Sequence, residues 1–333
     1  RMCREYSVVV EMLAARGTPT FSRLSSELYG RPADAFHAGE PTLADFGCML
    51  AEALGEIDRG GLLTPEPRTI TGDQAVEILR GRLAESMPGL HESVSVIPSD
   101  GIVSDAAAGS DYIKLRADAV FNDRDLRLLE VHEGWVHLGT TFNGKAQPIC
   151  TFLSKGPPSA TITQEGLAVF VENLSLSTYP ERVRRVANRI LAVNMAEEGA
   201  NFLEVYRFFL EQGVARDEAF TFAARVFRGS VPEGGPFTKD VSYSKGFVLV
   251  YNYLQLAVRK GKLDRVPLLF CGKTTLEDLH VLANLIEEKL VQPPAYLPPV
   301  FQNVQGIAAW MCYSGFLRRL RLESIESDYA AIL

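Results

Sequence analysis

The segment LLEVHEGWVH, residues 128–137, carries the side chains best suited to chemistry in this chain. It contains His132 and His137, and Glu133 directly follows the first histidine. Imidazole nitrogens and carboxylate oxygens are common ligands of zinc. Zinc peptidases often carry the motif H-E-x-x-H on a helix, where the two imidazoles share one face. Here the second histidine comes one residue later, so the segment is a candidate metal site with a longer frame.

The longer frame has a geometric consequence for a helix. A step of four residues returns to within about 40° of the starting direction, whereas a step of five misses it by about 140°. A regular α-helix would therefore point His132 and His137 apart. One turn of π-helix absorbs the extra residue, and such turns are frequent at functional sites. Gly134 lowers the local resistance to distortion. If both histidines bind one ion, the spacing therefore requires either a π-bulge or a helix that ends early.

The spacing alone leaves two interpretations open, a metal site or two ordinary core or surface histidines. A catalytic zinc also needs a third protein ligand and an open position for water. The helical segment TQEGLAVFVE offers Glu165 and Glu172, which lie about 10 Å apart along a helix axis and cannot both bind one ion. Glu165 is either a ligand or an ordinary carboxylate in a first helical turn. Glu172 is suited to orient a ligand histidine.

Helical periodicity dominates the chain on both sides of the histidine segment. Apolar residues recur at three- and four-residue steps in most of residues 1–90 and again after residue 160. Residues 91–121 contain short β-rich runs separated by Ser, Asp and Gly, which predict a small antiparallel sheet next to the histidine helix. The expected fold class is α+β and mainly helical. We divide the chain into a helical N-terminal region, 1–90, packed on a second domain, 91–333.

The composition excludes several classes of protein. A net charge of −7 argues against a nucleic-acid surface, and no apolar run is long enough to span a bilayer. The five cysteines are scattered and unpaired in sequence, which fits a reducing compartment. Because the start lacks a signal-peptide pattern, we expect a cytoplasmic protein. An opening Arg1 predicts that further sequence precedes it, and the oligomeric state cannot be read from the sequence.

Three motifs in order, HEGWVH, QEGLA and GGPFTKDVSY, mark a family resemblance. The chain resembles the QEGLA-motif proteins of bacteria, whose animal relatives include the microtubule-associated tyrosine carboxypeptidases. That family is similar to the gluzincins, which have a zincin-like catalytic domain and, here, an H-E-x-x-x-H helix. The resemblance runs from about residue 90 to the end. It implies one zinc ion held by His132, His137 and Glu165, with Glu133 as the catalytic base.

This interpretation assigns further roles. Glu133 would take a proton from the attacking water and pass it to the leaving amine. Tyr243, in FTKDVSY, is the candidate donor to the oxyanion, or else a tyrosine packed at a helix start. A carboxypeptidase must also hold the terminal carboxylate, for which Lys239 and Arg228 are the candidates. We expect Asp240 to position Lys239.

The predicted function is that of a zinc-dependent carboxypeptidase acting on a peptide or protein C-terminus. The alternative is a non-catalytic, metal-containing binding or regulatory protein of the same fold. An intact Glu133 favours the enzyme, because a structural zinc needs no base. The strand within GIVSDAAAGSDYIKL is expected to pair with an extended substrate. The arginines of PERVRRVANRI are interpreted as a solvated face, and the net charge of −7 does not favour acidic tubulin tails as substrate.

Overall fold

The fold is described by a computed structural model over residues 1–36, 41–61, 66–317, 319 and 329. The α-helices in this part of the chain are α1 (Met2–Ala14), α2 (Pro19–Tyr29), α3 (Leu43–Arg59), α4 (Gly72–Ser86), α5 (Asp123–Leu129), α6 (Gly139–Lys145), α7 (Ala160–Leu174), α8 (Pro180–Glu197), α9 (Phe202–Glu211), α10 (Arg216–Val226), α11 (Ser242–Arg259), α12 (Leu279–Glu287), α13 (Pro299–Gln302) and α14 (Val304–Leu317). The strands are β1 (Ile70–Thr71), β2 (Ser95–Ser99), β3 (Ala106–Ala108), β4 (Tyr112–Arg116) and β5 (Val120–Phe121). The mainly helical α+β class is therefore confirmed.

The main sheet has three strands in the order β2-β4-β3. Strand β3 runs antiparallel to β4, but β2 runs parallel to it. The chain reverses direction twice between β2 and β4, and β4 then inserts beside β2, so these two strands point the same way. The sheet is thus mixed, and the expectation of a wholly antiparallel sheet was wrong. Strand β3 lies at an edge, and a separate antiparallel pair joins β1 to β5.

The histidine segment is one continuous helix made of three parts. Its first turn is fixed by a capping box, in which the side chains of Asn122 and Asp125 each accept the other's backbone N–H. After α5 the backbone continues as π-helix over Glu130–Leu138 and returns to α-helix in α6. The π-bulge predicted from the five-residue spacing is confirmed.

Residues of this helix belong to two separate clusters of buried hydrophobic side chains. Trp135 and Leu138 pack with α4 and the sheet, in a cluster that includes Leu79 and Ile113. Val136 packs into a second cluster with α7, α11 and α14. The first cluster crosses the boundary expected near residue 90, because Leu79 belongs to α4. The division into two domains stays a prediction.

Helices α7 and α11 approach each other closely at two glycines. A Cβ placed on Gly166 would lie 1.9 Å from the carbonyl carbon of Gly246, so no larger residue fits at this crossing. Glu165 directly precedes Gly166, and Tyr243 lies in the first turn of α11. The close contact of the two backbones therefore sets the distance between these two side chains.

Candidate metal centre

The π-helix brings the two motif histidines together. The ring centroids of His132 and His137 lie 4.8 Å apart, with an angle of 86° between the ring planes. In a regular helix a five-residue step would separate them. Gly134 lies between them, and a Cβ there would come within 2.7 Å of the Leu83 side chain on α4. The glycine therefore lets α4 pack directly against the wide turn.

Glu165 completes a group of three potential ligands. Its Oε2 lies 3.3 Å from Nε2 of His132 and 3.5 Å from Nε2 of His137. One donor atom from each of the three residues falls within 4.8 Å of the others. Tetrahedral zinc with bonds of about 2.0–2.1 Å needs ligand atoms roughly 3.3 Å apart. The donor types and these two separations are compatible with a metal ion such as zinc.

Glu172 orients His132 through Nδ1, the ring nitrogen that does not face Glu165. This is the role predicted for Glu172 from the sequence. The Nδ1–H of His132 donates to Oε1 of Glu172 at 2.5 Å, which leaves Nε2 to face the ion site. Arg182 donates two further hydrogen bonds to this carboxylate, at 3.0 and 3.1 Å. Burial raises the pKa of Glu172, but the charge of Arg182 and the hydrogen bond from His132 outweigh it and lower the pKa to about 2. Glu172 therefore stays ionised.

The environment of His132 favours a positive charge. Burial lowers its pKa, but the hydrogen bonds with Glu165 and Glu172 outweigh burial and raise the pKa to about 10. The two carboxylates contact opposite nitrogens of the ring. A cation at Nε2, whether proton or metal, is therefore stabilised on both sides.

Glu133 is buried and lies outside the group of three. Its Oε2 accepts a hydrogen bond of 2.9 Å from the backbone N–H of Ala108, on the edge strand β3. This bond fixes the carboxylate between the sheet and the π-helix. Glu133 and His132 both line a cavity of about 90 Å³.

Tyr243 forms another wall of the same cavity. Its ring stacks near His132, with centroids 6.0 Å apart, and the guanidinium groups of Arg182 and Arg189 lie 5.8 and 5.3 Å from its centroid. Burial raises the pKa of Tyr243 to about 12, and the charge of Glu165 acts in the same direction. The phenol is therefore protonated at neutral pH and able to donate a hydrogen bond.

The two residues predicted to bind the terminal carboxylate do not line this cavity. The Arg228 guanidinium stacks 4.9 Å from the centre of the Phe237 ring. Lys239, in the 3₁₀ turn Thr238–Val241, adds its charge to the burial that lowers the pKa of Lys273. Neither Arg228 nor Lys239 is among the described residues that line the cavity. Their role in binding substrate stays a prediction.

The expected partnership of Asp240 with Lys239 was wrong. Both oxygens of Asp240 accept from Arg225 on α10, at 2.5 and 2.8 Å. Sequence adjacency suggested the lysine, but neighbours in a 3₁₀ turn point in different directions. The carboxylate instead faces the helix that packs against the turn.

Sequence reasoning missed the arginines of α8. Arg184 does form an exposed ion pair, with Asp58. Arg182, Arg185 and Arg189, however, line the cavity. Their spacing of three and four residues places them on one helix face, and this was the available signal. The interpretation of the whole cluster as a solvated face was wrong for these three residues.

The fold and this site define a class, that of mainly helical α+β proteins with a His/His/Glu group able to hold a metal ion. The sequence model of one family, described as "Microtubule-associated tyrosine carboxypeptidase", matches residues 1–319. The chain belongs to this family, and the resemblance seen in its motifs is confirmed. A comparison with curated proteins gives no match. Among the helices that the structure describes, none is both long and apolar enough to cross a membrane.

Proposed function

We propose that the protein is a zinc-dependent carboxypeptidase in which Glu133 acts as the general base. The observation that carries the proposal is the convergence of His132, His137 and Glu165 within 4.8 Å, beside a buried glutamate that is not one of the three. A site built only to hold a structural ion has no need of that glutamate. Membership in a family described as a carboxypeptidase supports the same conclusion.

Zinc, when bound, supplies the Lewis acidity that activates water and polarises a carbonyl. Glu133 holds and moves the proton, taking it from the attacking water and delivering it to the leaving amine. The Ala108 N–H, at 2.9 Å, keeps the Glu133 carboxylate oriented for both transfers. Tyr243, protonated and facing the same cavity, donates to the oxygen that becomes negatively charged.

The edge of β3 that faces away from β4 suggests a mode of substrate docking. Ala108 belongs to this edge, and its N–H points to Glu133 rather than to β4. An extended peptide laid along the edge would therefore run past the base. The family description makes a C-terminal tyrosine the first residue to test as the one removed.

The experiment combines metal analysis with peptide cleavage. Glu133→Gln is expected to keep a full equivalent of zinc and to lose cleavage, because it removes the base and none of the ligands. His137→Ala is expected to lower bound zinc sharply. Glu130→Gln is the matched control, because it makes the same change on the same π-helix outside the donor group. The readouts are elemental analysis and mass spectrometry of a digested peptide library.

Two results would contradict the proposal. Full turnover in Glu133→Gln would remove this residue as the base. Unchanged zinc in His137→Ala would remove the donor set. Stoichiometric zinc together with no cleavage of any peptide would instead favour the non-catalytic alternative.

A further inference from the structure

Four guanidinium groups line the cavity beside His132 and Glu133. They belong to Arg182, Arg185, Arg189 and Arg225. A concentration of like charge in so small a space, about 90 Å³, is costly unless each charge meets a partner. The balance of charge around the cavity therefore indicates what it is built to hold.

Three of the four arginines are neutralised by carboxylates of the protein. Arg182 and Arg225 form the two-bond pairs with Glu172 and Asp240 described above. Arg185 lies 3.6 Å from a carboxylate oxygen of Asp105 and 3.8 Å from one of Asp125. These three arginines therefore form ion pairs within the protein, between the elements that surround the cavity.

Arg189 differs from the other three. Within the described part of the chain, Arg189 forms no hydrogen bond and no ion pair, and its guanidinium lies over the Tyr243 ring, 5.3 Å from the centroid. The charge of Asp240 acts on Arg189, but both oxygens of that carboxylate are bonded to Arg225. Burial and the nearby charge of Arg225 lower the pKa of Arg189 to about 10, so it is still charged at neutral pH. The cavity thus contains one cation with no directly bonded carboxylate.

We propose that Arg189 binds the terminal carboxylate of the substrate. A guanidinium presents two parallel N–H donors that match the two oxygens of a carboxylate. The ring of Tyr243 lies 5.3 Å from the Arg189 guanidinium and 6.0 Å from the His132 ring, so a terminal residue held by Arg189 would lie close to the candidate ion site. This assignment rests on the proposed carboxypeptidase activity and gives it a reason to act only at chain ends.

The structure favours Arg189 over the two residues suggested by the sequence. The guanidinium of Arg228 is engaged with the Phe237 ring, and Lys239 is not among the described residues that line the cavity. Arg189 is the one of these basic residues that lines the cavity together with Glu133.

Equilibrium binding tests the assignment without relying on turnover. The Glu133→Gln protein would be titrated with the N-terminally fluorescein-labelled peptide Gly-Ser-Gly-Tyr, as free acid and as C-terminal amide. We expect the acid to bind at least about tenfold more tightly. Adding Arg189→Gln is expected to reduce this preference to within about twofold. Arg184→Gln, on the same helix and paired with Asp58 outside the cavity, is the matched control and should keep the preference.

The stability of a second variant separates a binding role from a structural one. Arg189→Met removes a partly buried charge that has no directly bonded partner, so the free energy of unfolding without peptide is expected to stay unchanged or to rise. A large fall in that free energy would show that Arg189 supports the fold instead of the ligand.

Other results would overturn the assignment. These are a preference for the acid that survives Arg189→Gln, a preference that disappears in Lys239→Gln or Arg228→Gln, or the absence of any preference in the Glu133→Gln protein. An acid preference that depends on Arg189, in a wild-type protein that cleaves nothing, would keep the anion site and refute the proposed peptidase activity. Equal cleavage of acid and amide peptides would keep the proposed peptidase activity and refute the role of Arg189 as a carboxylate site.

Discussion

Replacing Glu172 with Gln should weaken both the fold and the metal site. The carboxylate is fully buried and accepts three charge-assisted hydrogen bonds, two from Arg182 and one from His132. Glutamine keeps the shape but turns one acceptor into a donor, and it leaves the buried guanidinium unpaired. Breaking a buried pair in this way costs about 3–5 kcal/mol. We expect the free energy of unfolding of the metal-free protein to fall by at least about 3 kcal/mol in urea denaturation at pH 7.

A double-mutant cycle makes this prediction specific. In Glu172→Gln combined with Arg182→Met, the unpaired charge is gone, so the double variant should be markedly more stable than Glu172→Gln alone. Zinc affinity should behave differently. His132 lacks its orienting carboxylate in both variants, so each should bind zinc about 10- to 100-fold more weakly in a competition assay with a chelating dye.

Either of two results would refute this reasoning. If Glu172→Gln unfolds with the wild-type free energy, the pair with Arg182 does not stabilise the fold. If the double variant recovers zinc affinity together with stability, then Glu172 acts on the metal site only through the fold, and not by orienting His132.

Two further predictions follow from other contacts. Gly166→Ala should lower the free energy of unfolding by about 3 kcal/mol or more, because its Cβ would lie 1.9 Å from the carbonyl carbon of Gly246. Gly55→Ala is the control, since a Cβ there meets no atom within 4 Å. It should leave the free energy of unfolding unchanged or raise it by up to about 1 kcal/mol. Burial raises the pKa of Asp240, but the charge of Arg225 outweighs it and holds the pKa below its ordinary 3.8. Asp240 therefore stabilises the fold above that pH, and the stability difference between wild type and Asp240→Asn should close as pH falls below 3.8 in urea titrations. A loss of stability in Gly55→Ala equal to that in Gly166→Ala, or a difference that widens in acid, would contradict them.

The helical architecture and the bulge at the histidines followed from periodicity and spacing. A five-residue step between residues that could share one ion permits few backbone solutions, and the π-bulge was one of the two expected. Glu165 was reached through the QEGLA motif, and the orienting role of Glu172 through its place about 10 Å further along the same helix. These inferences depend on local geometry, which sequence spacing encodes directly.

The parts that the sequence could not predict depend on tertiary pairing. Strand β3 is the run Ala106–Ala108, which has no β-rich pattern of its own and forms because β4 offers an edge. Strand β2 runs parallel to its neighbour because β4 lies between β2 and β3. The order of the strands along the chain does not determine this order in the sheet. Periodicity placed the arginines of α8 on one face, but it could not tell whether that face meets water or a cavity.

The wide turn leaves the docking of the helix after it unchanged. Beyond the turn, the Thr140 hydroxyl donates to Gln164 at 2.7 Å, and the Asn143 amide donates to the carbonyls of Phe270 and Tyr296, both at 2.8 Å. Because the turn absorbs the extra residue, deleting one residue to restore the shorter peptidase frame would keep the alignment of the histidines and the phase of everything downstream. What would change is the turn itself, where Gly134 lets the Leu83 side chain of α4 come close. The longer frame is therefore a local feature that shapes the contact with α4, while the anchors further along the helix would suit either motif.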